Sequence, residues 1–135
     1  MMPKPTSQQS PEALYRKRLT IWGAMLFSIV MYGVVMRVAR PAAPSDNPIL
    51  VEALLLAAAV LVAASFGVKS YCFKRARETG KPAWTRAGEV SALVLCDSAA
   101  LLGVVVWFLT ALPGSYWFLI LGAAGQILHY PRREE

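Results

Sequence analysis

Asp97 is the residue of this sequence whose type and position most clearly predict chemistry. It lies inside an apolar run that extends from about 87 to 112. At about 1.5 Å of helical rise per residue, that position is well inside the hydrocarbon of a membrane. An acidic residue near the centre of a membrane helix costs roughly 2.5 to 3.5 kcal/mol on insertion scales, and such residues mark ion or proton pathways by default. One hypothesis is therefore that Asp97 carries H⁺ or Na⁺.

The competing hypothesis for Asp97 is a structural one. A polar side chain inside a membrane bundle can form hydrogen bonds across helices, each worth roughly 0.6 to 2 kcal/mol. Burial favours the neutral carboxyl, which can donate a hydrogen bond as well as accept one. Both hypotheses stay open at this point, and the candidate polar partners are Ser28, Tyr32, Glu89 and Gln126.

Glu89 has a second interpretation. It lies about 12 Å from Asp97 along the same predicted helix, by the rise per residue, and close to the start of that helix. It is therefore also expected to be a solvated end group. His129 is similarly interpreted as interfacial, because it is a lone histidine followed by Tyr130, Pro131 and Arg132.

The remaining residues do not form a recognisable catalytic pattern. The sequence has no nucleophile–base pair, no cluster with metal-ligand spacing and no phosphate-binding loop. Its two cysteines, Cys72 and Cys96, lack a CxxC spacing and are expected to be free thiols. We therefore expect a non-enzymatic protein without a metal or cofactor.

Four long apolar runs dominate the chain. Of its 135 residues, 56% are hydrophobic and 16% are charged, and the mean hydropathy is +0.46. About 20 apolar residues in a helix cross the hydrocarbon core. The sequence therefore predicts an all-α integral membrane bundle of four transmembrane helices in a membrane domain at 16–135. A polar cytoplasmic tail precedes it at 1–15, and the predicted spans are about 19–38, 49–68, 87–112 and 115–130.

The segments between these runs have their own interpretations. Residues 39–48 are rich in proline and turn formers, whereas 69–86 read as a polar loop. The basic triplet at 16–18 before the first run also fits a cleaved signal peptide. The length of the run, and Arg37 and Arg40 directly after it, favour a retained anchor.

Basic residues predict the orientation of the bundle. All of the 14 lysines and arginines except Arg37 and Arg40 fall in three segments that four spans place on one side. The positive-inside rule makes that side cytoplasmic, so both termini are expected on the cytoplasmic side of a cell membrane. The net charge of +6 is thus explained by topology and lipid rather than by nucleic acid. One cluster is a candidate for anionic lipid headgroups: Lys74, Arg75 and Arg77.

An internal similarity relates the first and third runs. Residues 28–35 align without a gap with 98–105, so the bundle is expected to contain two related hairpins. Small residues on all four runs, such as Ala99 and Gly103, predict close helix approaches. Packing within the bundle and self-association are both compatible with them.

The segment from 93 to 106 resembles the carboxylate-bearing helix of rotary ATPase proteolipid (subunit c) proteins. That helix carries an acid followed six positions later by glycine, as Asp97 and Gly103 do here. By resemblance, Asp97 would bind the translocated H⁺ or Na⁺ in an oligomer. The chain departs from that family in its first and fourth spans, its longer basic loop and the alanines that replace the partner helix's glycines.

These observations favour a small multi-pass membrane protein that is a non-enzymatic subunit or assembly partner of a membrane complex. Its partners would be membrane lipids and other membrane subunits or a second copy of itself. Two alternatives remain. The first is a proteolipid-like H⁺ or Na⁺ carrier that uses Asp97, and the second is a protein that binds anionic lipids.

Overall fold

The computed structural model describes residues 10–40 and 47–133, and these form an all-α bundle. Residues 1–9 of the tail predicted at 1–15, and most of the turn-rich connection, at 41–46, lie outside the described residues. The bundle contains helices α1 (Pro11–Val38), α2 (Pro48–Thr79), α3 (Pro82–Thr110) and α4 (Tyr116–Leu128). A 3₁₀ turn at Pro113–Ser115 precedes α4. The described residues contain no strand, and the all-α prediction is confirmed.

Capping residues and prolines define where the first two helices start. Ser10 Oγ accepts a hydrogen bond from the Ala13 amide at 3.3 Å, and Asn47 Oδ1 accepts one from the Leu50 amide at 3.1 Å. In both cases proline occupies the first helical position, where its missing N–H is not needed.

Left-handed residues end α2 and α3. Gly80 follows α2 with φ 65°, and Ala111 follows α3 with φ 54°. Glycine adopts this conformation freely, whereas alanine there costs roughly 1 to 2 kcal/mol. The strained Ala111 lies just before Pro113, where the chain turns tightly back into α4.

The helices extend beyond the apolar runs on their basic sides. The prediction of a polar loop at 69–86 is wrong, because α2 continues to Thr79, α3 begins at Pro82, and Gly80 and Lys81 are the connection. Charged residues such as lysine, arginine and glutamate are good helix formers. An apolar run therefore marks the part of a helix that suits hydrocarbon, and the helix itself can continue into the aqueous phase.

Three of the described helices, α1, α2 and α3, are long and apolar enough to cross a membrane. Helix α4 is apolar but has 13 residues, which corresponds to about 20 Å. It is shorter than the predicted span because Ser115 belongs to the 3₁₀ turn and because the helix ends at Leu128, before His129 and Pro131.

Helix α3 lies at the centre of the bundle, packed against the other three helices. Helices α1 and α3 run in the same direction, because Arg18 pairs with Glu89 near both starts and Trp107 donates to the Ala39 carbonyl near both ends. Helices α2 and α4 run antiparallel to α3. The parallel α1 and α3 are the arrangement that two related hairpins would produce.

Small residues allow the helices to approach α3 closely. Ala92, Cys96, Ala99, Ala100 and Gly103 are all buried, so this stripe serves packing within the chain. Helix α4 is one of the helices that approach α3 closely. A Cβ added to Gly122 would lie 2.8 Å from the Cys96 carbonyl oxygen, and one added to Gly103 would lie 2.5 Å from the Phe118 Cβ.

Candidate functional site

Asp97 is held by two hydroxyl groups from α1. Ser28 Oγ lies 2.6 Å from Asp97 Oδ1, and the Tyr32 hydroxyl donates to Oδ2 at 3.0 Å. Ser28 and Tyr32 are four residues apart and therefore lie on one face of α1. Both carboxyl oxygens of Asp97 are thus engaged by the neighbouring helix, at mid-length of the two parallel helices.

The contacts of Ser28 bear on the proton of this site. Its Oγ also lies 2.6 Å from the Met25 carbonyl oxygen, yet a serine hydroxyl has a single proton to donate. If Asp97 is neutral, its own O–H donates to Ser28 Oγ while Ser28 donates to Met25. All of these contacts can then form at once. Ser28 thereby connects Asp97 of α3 to the backbone of α1.

The other two candidate partners, Glu89 and Gln126, form no hydrogen bond with Asp97 within the described residues. Glu89 forms an ion pair with Arg18 of α1, and its side chain is 14% exposed. The prediction that Glu89 is a solvated end group is therefore wrong, because the Arg18 guanidinium of α1 lies beside its carboxylate. Gln126 accepts a hydrogen bond from Trp22 Nε1 through its backbone carbonyl, at 2.7 Å.

Polar contacts at three levels therefore join α1, with the residue that follows it, to α3. They are the Arg18–Glu89 pair, the hydroxyl contacts of Asp97, and the hydrogen bond from Trp107 Nε1 to the Ala39 carbonyl at 3.1 Å. Apolar packing in lipid tolerates sliding and rotation, whereas hydrogen bonds need particular atoms to meet. These contacts fix the register of the two parallel helices.

A second polar cluster joins α2 to α4. Ser65 Oγ lies 2.8 Å from His129 Nε2 and donates to the Val62 carbonyl, and the Cys96 thiol lies 3.5 Å from Ser65 Oγ. The interfacial depth predicted for His129 stays a prediction, but the residue is only 5% exposed and lies inside the bundle. Its ring is buried beside Phe66, because the last turn of α4 directs it at α2. No sequence spacing indicates this pair, since its members are 64 positions apart. Ser65 is fully buried, so the pair links α2 to the residue that follows α4.

The cationic cluster lies on the part of α2 that extends beyond its apolar run. Lys74, Arg75 and Arg77 are exposed. The Arg75 guanidinium is 3.7 Å from the Glu78 carboxylate and 6.0 Å from the Trp84 ring centre. The cluster therefore projects from a rigid helix and not from the loop that the sequence predicts. Within residues 10–40 and 47–133, no three metal-ligating side chains come together.

The side chain of Gln126 makes an unusual contribution to the interior. It is fully buried, and neither its amide nitrogen nor its amide oxygen has a hydrogen-bond partner among the described residues. A buried polar group without a partner costs about 1 to 3 kcal/mol. Gln126 is thus a predicted partner of Asp97 whose buried amide forms no stabilising hydrogen bond.

We expect Gln126→Met to raise the thermal midpoint of unfolding, because methionine has a similar volume and no unpaired amide. The change corresponds to about 1 to 3 kcal/mol, measured by differential scanning fluorimetry in detergent or nanodiscs. Gln126→Glu, which buries a carboxyl at the same place, serves as the comparison and should lower the midpoint. A lower midpoint for Gln126→Met would show that the amide has a binding role.

Comparison with protein-family models, with curated proteins and with solved structures found no match to this chain.

Proposed function

We propose that this chain is a small multi-pass membrane protein that acts as a non-enzymatic subunit or assembly partner of a membrane complex. The observation that carries the proposal is the environment of Asp97. Its two oxygens are engaged by Ser28 and Tyr32 of the same chain. The most costly group of the interior thereby serves to join helices, as polar residues do in membrane bundles.

The proposed topology has both termini in the cytoplasm. Arg18 and Arg86 lie near the starts of the parallel helices α1 and α3, and the Arg133 guanidinium is 5.0 Å from the Tyr15 ring centre. The C-terminal segment thus returns to the basic end at which α1 begins. Interfacial aromatic residues pair at both ends: Trp22 with Tyr130, and Trp107 with Tyr116. In this topology α4 and its flanking residues make a fourth crossing.

The outer face of α2 supports a helical partner. Ala59, Ala63 and Gly67 follow one another at four-residue spacing and are exposed. A Cβ added to Gly67 would meet nothing within 4 Å. A stripe of small residues lets a second helix approach closely. A helix packs against such a stripe more tightly than flexible lipid chains do. The small residues of α3 are buried against the other helices of this chain, whereas Ala59, Ala63 and Gly67 of α2 are available to another subunit.

Assembly is tested by deleting the chain from its own cell and measuring the abundance of the other membrane proteins. We expect the abundance of a defined set of these proteins to decline and the wild-type chain to restore it. On native gels the same proteins should co-migrate with the chain above its mass of 14.7 kDa. Migration as a monomer, with every other membrane protein unchanged, would contradict the proposal.

Carbodiimide labelling separates the structural role of Asp97 from ion or proton transport. The reagent attacks protonated carboxyl groups that it can reach. We expect Asp97 to react about tenfold more slowly in the wild type than in Ser28→Ala/Tyr32→Phe, since two hydrogen bonds at roughly 0.7 kcal/mol each protect it. Mass spectrometry of the protein in lipid gives the site and the rate.

Glu52, exposed on α2, is the internal control that the reagent is active at acidic pH. Rapid and selective labelling of wild-type Asp97 that fades as the pH rises past about 7 would show an accessible proton-binding acid. That result would replace the structural proposal with transport.

A further inference from the structure

A cleft of about 740 Å³ lies between the first turns of α1, the first turns of α3 and the segment 129–133. We call it the inner cleft. It is lined on α1 by 11–22, on α3 by 82–93, and on the third side by His129, Pro131 and Arg133. Along α3 this is a depth of about 16 Å by the helical rise. The cleft is distinct from the Asp97 site and from the cationic cluster of α2.

The outer part of the inner cleft is positively charged. Lys17, Arg86 and Arg133 line it and are exposed. The lining also contains two acids, but each of these has a cation beside it. Glu89 is paired with Arg18, and Glu12 lies 2.8 Å from Arg16. Three cationic groups therefore give the opening its electrostatic character.

The deeper part of the inner cleft is apolar and opens towards the side of the bundle. It is lined by Ile21, Val90 and Leu93. Ile21 and Val90 are 36% and 43% exposed. They lie where the basic starts of α1 and α3 give way to the apolar runs, which is the level of the membrane interface. A molecule in the cleft would thus meet cations at one end and hydrocarbon at the other.

We propose that the inner cleft binds one anionic phospholipid. The phosphate lies between Lys17, Arg86 and Arg133, and an acyl chain passes between Ile21 and Val90 towards Leu93. Charge complementarity selects an anionic headgroup, and the lateral apolar opening selects a molecule that already lies in the bilayer. This inference requires that the chain lie in a membrane, and it does not depend on assembly with other subunits.

Native mass spectrometry of the full chain, released from detergent, tests the proposal with phosphatidylglycerol and phosphatidylcholine as probes. We expect one phosphatidylglycerol to be retained with a Kd at least tenfold below that of phosphatidylcholine. In Lys17→Gln/Arg86→Gln/Arg133→Gln the affinity for phosphatidylglycerol should fall by about a hundredfold and the preference should disappear, since each cation near the surface contributes about a fivefold effect.

The matched control is Lys74→Gln/Arg75→Gln/Arg77→Gln, which removes the same charge from α2. It should retain phosphatidylglycerol as the wild type does. An equal loss in both triple variants would mean that bulk charge attracts the lipid, and it would overturn the assignment to the cleft. The absence of any preference for phosphatidylglycerol in the wild type would overturn it as well.

A second variant tests the apolar part without changing charge. Val90→Trp places a large side chain in the lateral opening and should weaken phosphatidylglycerol retention at least tenfold, with the thermal midpoint in detergent confirming the fold. Unchanged retention would contradict the path of the acyl chain. Displacement of the lipid by millimolar glycerol phosphate would reveal a site for free anions and contradict a phospholipid site.

Discussion

Gly122→Ala should lower the free energy of unfolding by about 1 to 3 kcal/mol, the range for an overpacked core. The added Cβ would lie 2.8 Å from both the Ala100 Cβ and the Cys96 carbonyl oxygen. The latter is a backbone atom of α3, so no side-chain rotation relieves the contact. Helix α4 must move away from α3, and the loss extends to the neighbouring contacts of Phe118 and Gly125.

Gly103→Ala should act in the same way at the other end of this interface, near the start of α4. Its Cβ would lie 2.5 Å from the Phe118 Cβ and 2.9 Å from the Ser115 carbonyl oxygen. We expect a comparable loss, measured for both variants as the shift in thermal midpoint and in the midpoint of unfolding by denaturing detergent.

Gly23→Ala and Gly67→Ala are the matched controls for these variants. Both glycines lie within helices, and an added Cβ meets nothing within 4 Å at either position. Alanine is the better helix former, so neither variant should lose stability. If Gly122→Ala were as stable as Gly67→Ala, the result would contradict the close contact between α4 and α3 at Gly122.

Asp97→Ala should destabilise the bundle by about 1 to 4 kcal/mol, because two interhelical contacts disappear at roughly 0.6 to 2 kcal/mol each. The Tyr32 hydroxyl loses its Asp97 acceptor, whereas Ser28 keeps the Met25 carbonyl. Asp97→Asn should cost less, because an amide can still accept from Tyr32 and donate to Ser28.

A double-mutant cycle isolates the hydrogen bonds from other effects of the substitution. Tyr32→Phe and Asp97→Ala should be non-additive, since either change removes the same contact. Ser98→Ala is the control, because the neighbouring Ser98 hydroxyl bonds to the Val94 carbonyl of its own helix at 2.8 Å and should leave stability nearly unchanged. A stable Asp97→Ala variant with a lost cellular phenotype would instead favour the transport hypothesis.

Much of the fold could be predicted from the sequence for a general physical reason. A bilayer offers no hydrogen-bond partners, so an apolar run that enters it must satisfy its backbone groups internally as a helix. Proline and capping residues then set several ends, and the predicted boundaries at 38, 49 and 112 lie close to Val38, Pro48 and Thr110. The helix ends next to the basic segments were predicted less well, because hydropathy does not detect the polar part of a helix that continues beyond its apolar run.

The candidate site could be predicted only in part. The cost of a carboxyl in hydrocarbon singles out Asp97, and the chemistry of its neighbours limits the partners to a few polar side chains. The choice of Ser28 and Tyr32 over Gln126 depends on the rotation and register of α1 against α3, which apolar lipid-facing helices do not encode one by one.

By itself, the sequence determined the helical class, the apolar segments and the identity of the costly acid, because each follows from local composition and the demands of backbone hydrogen bonding. Only the tertiary structure decided the contacts of Asp97, the burial of His129 against Ser65 and the existence of the inner cleft. The first two join residues that are 64 or more positions apart, and the cleft joins α1, α3 and the segment 129–133. Their meeting depends on how the packed helices are rotated and aligned, which no local pattern specifies.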